Sequence, residues 1–165
     1  MVIDFHVHAF MDSLAPKALH NLNADRSKPM YTSATVSDTL AKMDEWGVAR
    51  FILLSVATKP SQPRHINDWI LQQQEQHPDK IIGFGAIHPD APDAIGELSR
   101  LKSLGVPGIK LHPDFQNFMI DEKRLFPLYD ACVQLDMAVL FHCGFDAVSP
   151  DLIHAPPHRA AKVTE

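Results

Sequence analysis

Cysteine is nearly missing from this sequence: Cys132 and Cys143 are the only two among 165 residues. Two thiols cannot build a disulfide framework, so a reducing compartment, the cytoplasm, is the expected location. Long apolar runs are lacking as well. None approaches the ~20 residues of a membrane span, and no charged-then-apolar leader precedes His6. Nor is there an excess of positive charge. At a net charge of −5 the chain offers no electrostatic footprint for nucleic acid or anionic lipid. Glycine is sparse, seven in all, and no Gly-rich phosphate loop follows an early apolar run, which argues against a nucleotide-binding doubly wound sheet.

What is abundant is histidine, ten residues, and proline, thirteen. The prolines fall mostly between apolar runs and read as loop punctuation. With 45% hydrophobic residues the chain suffices for a single domain over 1–165 with a proper core. Short apolar runs of strand length recur: VIDFHVHAF, RFILLSVAT (50–58), KIIGFGAIHP (80–89), PGIKLHPD (107–114) and MAVLFHCGF (137–145). Helical patterns separate them. Val36, Leu40 and Met43 share one face, with Gly47 at the C-terminal cap. Ile66, Trp69 and Ile70 open a second helix. Ile95, Leu98, Leu101 and Leu104 line a third, closed by Gly105, and Leu125, Leu128, Tyr129, Cys132 and Leu135 a fourth. Residues 11–35 read as a longer loop with a short helix near 15–22. HAPPHRAAKVTE starts a last helix, with prolines in its first turn.

This β-α alternation predicts an α/β fold with a parallel sheet and right-handed crossovers. The runs end in polar residues (His6 and His8, Ser55, His88, Lys110 and His112, His142), as strands do at the active-site face of a TIM barrel. The expected architecture is therefore a (β/α)8 TIM barrel of which this chain supplies the first five strands. Eight would project to ~250 residues.

Several of these polar ends are candidates for chemistry. In a strand, residues i and i+2 share a face, so His6 and His8 project side by side, with Phe5 and Val7 turned into an apolar layer. Enclosed imidazoles are costly unless paired or ligated. On the fifth run Ala138, Leu140 and His142 share a face, which brings His142 to the same mouth. Three histidines converging there predict a metal site. Lys110 and His112 repeat the i, i+2 geometry on the fourth run. Burying a lysine is costly, and a lysine is rarely found buried unless it has a role there. Three roles fit, in order of preference. It binds a substrate carboxylate, it snorkels to the rim, or it is carbamylated to bridge two ions. His112 fits a supporting role behind the site, His88 a structural or rim one. Asp114 and Asp146 fall in nearby loops without a spacing signal. Cys143 faces away on strand parity and is set aside.

Together D-F-H-V-H, G-I-K-L-H-P-D-F-Q-N-F and L-F-H-C-G resemble the amidohydrolase superfamily, in its branch of metal-dependent hydrolases related to aminocarboxymuconate semialdehyde decarboxylase. M-D-E-W-G-V-A-R-F-I-L-L-S and G-F-G-A-I-H-P extend the resemblance over the whole chain. It implies a TIM-barrel enzyme with a divalent metal, zinc being the expected ion. His6 and His8 would be the first-strand ligands and His142 the fifth-strand ligand. The family's further histidine and aspartate follow strands six and eight, which this chain does not contain. Lys110 and His112 are the candidate catalytic residues. The expected reaction is hydrolysis of an amide, lactone or related bond of a small organic substrate, through water activated at the metal. Decarboxylation of a small unsaturated or aromatic acid is the alternative. A phosphoesterase of the D-x-H-x-H class fits less well, because further matching histidine motifs are missing. In a different class stands an inactive half-barrel, whose exposed first and fifth strand edges would be covered by pairing two copies.

Overall fold

The computed structural model describes residues 1–22 and 29–165. Strands and helices alternate along it: β1 (Ile3–His8), α1 (Ala15–Leu22), α2 (Val36–Glu45), β2 (Arg50–Leu54), α3 (Pro63–Gln76), β3 (Ile81–Gly83), β4 (Gly85–Ala86), α4 (Ala94–Ser103), β5 (Gly108–Leu111), α5 (Pro113–Gln116), a 3₁₀ turn (Lys123–Leu125), α6 (Phe126–Gln134), β6 (Ala138–Phe141) and α7 (Pro157–Thr164). They form two units, Met1–Ser55 with Ile70–Gly83, and Val56–Trp69 with Phe84–Glu165. The short helix expected near 15–22 is α1. Part of the loop expected over 11–35, residues 23–28, lies outside the described residues.

In the first unit, β1, β2 and β3 form a parallel sheet in that order. β2 is central, and Phe51, Ile52, Leu53 and Leu54 are all buried. A strand covered on both faces reads as an unbroken apolar run, which is why RFILL is legible. α2 precedes it. Thr35 caps that helix by accepting a hydrogen bond from the Asp38 N–H, and Gly47, at φ +70°, takes the left-handed turn just past its end. Lys80, just ahead of β3, pairs with Asp44 of α2.

β1 departs from the expected pattern. Its register against β2 slips between Asp4 and Val7, placing one extra residue in β1. Phe5, expected in an apolar layer, is 61% exposed, while Val7 is buried. The bulge and the position of β1 at the edge of this sheet account for the difference.

In the second unit the parallel order is β4-β5-β6. Ile109 and Leu111 of the central strand are wholly buried. Gly108 admits close packing: a Cβ there would meet Phe84 at 2.6 Å and the Ala138 carbonyl at 2.7 Å. α7 is moored through Arg159 and Lys162 to Asp121.

The third apolar run, expected as one strand over 80–89, is divided at Phe84 into β3 and β4, each laddered to a different partner, β2 and β5. The buried Asn67 amide supplies part of the reason. Its Oδ1 accepts the Ala86 N–H at 2.7 Å and its Nδ2 donates to the Ala86 carbonyl at 3.1 Å and to Glu97 at 2.8 Å. A side chain thus takes the place of a neighbouring strand at Ala86. Parallel strands and crossover helices match the α/β expectation, but no closed barrel forms among the described residues. No described helix is long and apolar enough to cross a membrane.

Candidate active site

In the first unit the H-x-H pair stands as its spacing predicts. The Nε2 atoms of His6 and His8 lie 3.1 Å apart, with the rings edge-on. His8 Nδ1 lies 3.1 Å from the Leu54 carbonyl. A carbonyl only accepts, so Nδ1 carries the proton and Nε2 presents its lone pair, the state a metal ligand requires. The Asp4 carboxylate accepts the His6 backbone N–H at 2.9 Å. Both imidazoles are exposed rather than enclosed as expected, because they stand on an edge strand.

In the second unit β5 delivers Lys110 and, one residue past its end, His112. Lys110 is 0% exposed, and burial pulls its ammonium down to about 8, against a smaller opposing influence of Cys143. His112 caps α5, with its Nδ1 accepting the Phe115 N–H at 3.5 Å and its ring stacked on Phe115 at 4.0 Å. On its other side it stacks on His142, at 4.2 Å and 7° between planes. Burial first, then the neighbouring His142 and Lys110, pulls His112 down to about 4, so the ring is neutral at neutral pH.

The structure adds two groups that sequence reasoning did not weigh as ligands or anchors. Asp146 Oδ2 lies 3.3 Å from His142 Nε2 and 3.7 Å from His112 Nε2. Donor atoms of His112, His142 and Asp146 all fall within 4.8 Å of one another. His142 Nε2 is buried and makes no hydrogen bond, an orphan that a bound cation would satisfy. Among the described residues these three are the candidate donor group, though the rings stand parallel and His112 Nδ1 is engaged by the Phe115 N–H. Behind it, buried Asp114 accepts from His154 Nδ1 at 2.9 Å and from the Ser149 hydroxyl. Ser149 and Asp114 both meet the same ring nitrogen of His154, so these three do not form a nucleophilic relay, in which serine and carboxylate meet opposite nitrogens.

Gln116 of α5 ties the surrounding loops together. Its Nε2 donates to the carbonyls of Ala57 at 2.9 Å and Ile87 at 2.7 Å, and its Oε1 accepts the His112 N–H at 2.8 Å. His88 is buried, with Nδ1 accepting the Asp90 N–H at 3.1 Å, as its expected structural role requires.

Cys143 is exposed, as the reading that it faces away expects, although the strand that suggested this stops short of it. β6 ends at Phe141, so period two does not extend to residue 143, and its thiol acts electrostatically on Lys110. Desolvation pushes its thiol up, against an opposing influence of Lys110. Burial likewise pushes the Cys132 thiol up to about 11.

A family model described as Amidohydrolase matches residues 3–164. A curated relative, 2-amino-3-carboxymuconate-6-semialdehyde decarboxylase of Dictyostelium discoideum, is 32% identical over 81 residues, covering 48% of this chain and 23% of that protein. The solved 5-carboxyvanillate decarboxylase of Novosphingobium aromaticivorans, with bound manganese and 3-methoxy-4-hydroxy-5-nitrobenzoic acid, superposes with a TM-score of 0.67 at 18% identity, covering 90% of this chain and 52% of that one. An uncharacterized TIM-barrel protein of Bordetella bronchiseptica gives 0.70 at 18% identity, over 91% of this chain and 57% of that one. The chain thus spans about half the length of these solved structures.

Proposed function

Since the chain belongs to the amidohydrolase family, we propose that it carries the site of a metal-dependent lyase that decarboxylates a small unsaturated or aromatic carboxylic acid, on a (β/α)8 barrel of which this chain supplies part. The expectation of amide or lactone hydrolysis gives way here to C–C bond chemistry. The observation that carries the proposal is Lys110, a wholly buried lysine on the strand leading to His112. A buried ammonium favours an anionic substrate, and a carboxylate is the group that departs in this reaction. Support comes also from the decarboxylase relatives, one of them solved with manganese and a benzoic acid.

His6 and His8, side by side on β1, are proposed as metal ligands, and His142 is proposed as a ligand on the strand-end pattern of the sequence alone. A divalent ion, zinc or manganese, supplies Lewis acidity toward substrate oxygens. The protein's own groups do the rest. Lys110 Nζ, with its pKa near 8, keeps its proton at neutral pH and balances the substrate carboxylate. Neutral His112 can accept and return a proton on its ring. The Phe115 and His142 rings, stacked on either face, fix its plane.

The test is to supply the full chain with Mn²⁺ or Zn²⁺ and offer hydroxybenzoates and muconate-type acids beside a panel of amides and lactones. CO₂ release that disappears in Lys110→Met supports the proposal. Turnover of the amides or lactones alone sinks it in favour of hydrolysis. Metal binding without any turnover favours the inactive half-barrel.

A further inference from the structure

We infer that Asp146 is a built-in competitor of the carboxylate substrate: its side chain fills the seat beside His112 that a small organic acid takes, and the strap 145–148 turns about Gly144 to vacate it. This rests on the proposed function in taking a carboxylate as the ligand and Lys110 as its counterpart. That the chain's own carboxylate blocks the seat is added here.

The polarity of the seat follows from one hydrogen bond. His112 Nδ1 accepts the Phe115 N–H, so the proton of the neutral ring stands on Nε2. Nε2–H can only donate, and the oxygen beside it, at 3.7 Å, is Asp146 Oδ2. That distance exceeds a normal hydrogen bond. The acid is thus placed at the donor without being bound tightly to it. The same Oδ2 lies 3.3 Å from His142 Nε2, again without a hydrogen bond. The other Asp146 oxygen is committed locally, with Oδ1 accepting the Val148 N–H at 2.8 Å to close a turn within the strap. Lys110 and Asp146 both act electrostatically on the His112 ring, with opposite effect. Ammonium and carboxylate therefore share the neighbourhood in which the substrate acid is proposed to bind.

The strap is built against the usual preference. The Asp146 side chain is 12% exposed, while Phe145 and Val148 are 65% and 64% exposed. Water ordinarily keeps the carboxylate and the interior keeps the apolar side chains. Here that order is inverted, and a second arrangement of the same segment reverses it. Gly144 supplies the pivot, since its φ is +90° and a Cβ there would meet nothing within 4 Å. The far end is fixed, because the Ser149 hydroxyl and His154 both bond to Asp114. Only residues 145–148 lie between pivot and fixed end. Turning them carries Asp146 to water and lets Phe145 and Val148 cover the acid that has replaced it.

The test uses the full metal-free chain with benzoate as the probe, followed by calorimetry and by the Val148 amide resonance. The unsubstituted chain is compared with Asp146→Ala, Asp146→Asn and Lys110→Met. Thermal unfolding checks that each is folded, and Asp146→Asn keeps the shape of the side chain. The inference expects both Asp146 variants to bind benzoate about 10-fold tighter, the factor regained when a site that is about nine-tenths blocked is freed. On the unsubstituted chain benzoate should shift the Val148 amide and speed its hydrogen exchange, as the turn onto Asp146 opens. Tighter binding with an unchanged Val148 amide is charge repulsion alone and overturns the inference. Equal or weaker binding by the Asp146 variants also overturns it, while binding that is lost in Lys110→Met leaves the proposed function standing. No benzoate bound by the unsubstituted chain or by either Asp146 variant removes the carboxylate contact of Lys110 and overturns both.

Discussion

Asp114 and His154 are joined at 2.9 Å across 40 residues of sequence, carboxylate oxygen to ring Nδ1. Ser149 donates to the same oxygen. Asp146 therefore sits on a segment fastened to α5, the helix that His112 caps. Burial pushes the Asp114 carboxyl up, but the bonds from Ser149 and His154 outweigh it and hold the group below the usual carboxylate range. Asp114→Asn should loosen the 145–153 segment and speed its hydrogen exchange about 10-fold. Unchanged exchange would show that other contacts hold the segment.

The burial of Lys110, proposed to let it meet a substrate carboxylate, also carries a cost in stability. The folded pKa of the lysine, about 8, lies below the ordinary 10.5. The folded state thus binds fewer protons than the unfolded one between those values, and stability rises with pH across that window. Below pH 8 the cost is fully present, roughly 3 kcal/mol. At pH 7 Lys110→Met should raise the unfolding temperature and abolish turnover of a carboxylate substrate. Equal or lower stability in the variant would show that the ammonium is compensated in place.

Glu97 behaves oppositely. Burial pushes its carboxyl up, but hydrogen bonds from Arg100, at 2.6 and 2.8 Å, and from Asn67 hold it below the usual range. Its contribution is present above the unfolded pKa and lost as pH falls through the lower folded value. Glu97→Gln should cost roughly 1–3 kcal/mol at pH 7. The loss should shrink in acid, read from urea unfolding at pH 7 and pH 4. A constant difference would remove the charge from the explanation.

Asn67→Ala removes three hydrogen bonds at once and strands the Ala86 N–H and carbonyl. A loss of roughly 3 kcal/mol is expected. Gly85→Ala probes the other side of β4, where a Cβ would meet Leu101 Cδ1 at 2.4 Å. That clash should cost about 1–3 kcal/mol. Denaturant midpoints of the two variants check both values.

The strands that carry a pure apolar run, β2 and β5, were legible because burial on both faces leaves no room for polar residues. The division of the third run was not. It depends on Asn67, an amide from a helix 19 residues away, and no local pattern encodes a side chain standing in for a strand. Among the candidate residues, the side-by-side pairing of His6 and His8 was legible through period two, and the burial of Lys110 through its place in an apolar run. Asp146 and His154 stayed hidden because they lie in irregular backbone beyond β6, where no periodicity relates sequence position to direction.

Gln116 makes the neighbourhood of His112 vulnerable to the change of a single atom. One amide nitrogen serves the carbonyls of Ala57 and Ile87, and the oxygen beside it serves the His112 N–H. Hydrolysis of that amide to glutamate, or the substitution Gln116→Glu, replaces the donor with a second acceptor and sets a carboxylate against two carbonyl oxygens. The loops after β2 and β4 would lose their common fastening to α5 without any change in side-chain size. In stored protein, slow deamidation at this buried position would register as a gradual fall in unfolding temperature, with little change in mass and one added negative charge.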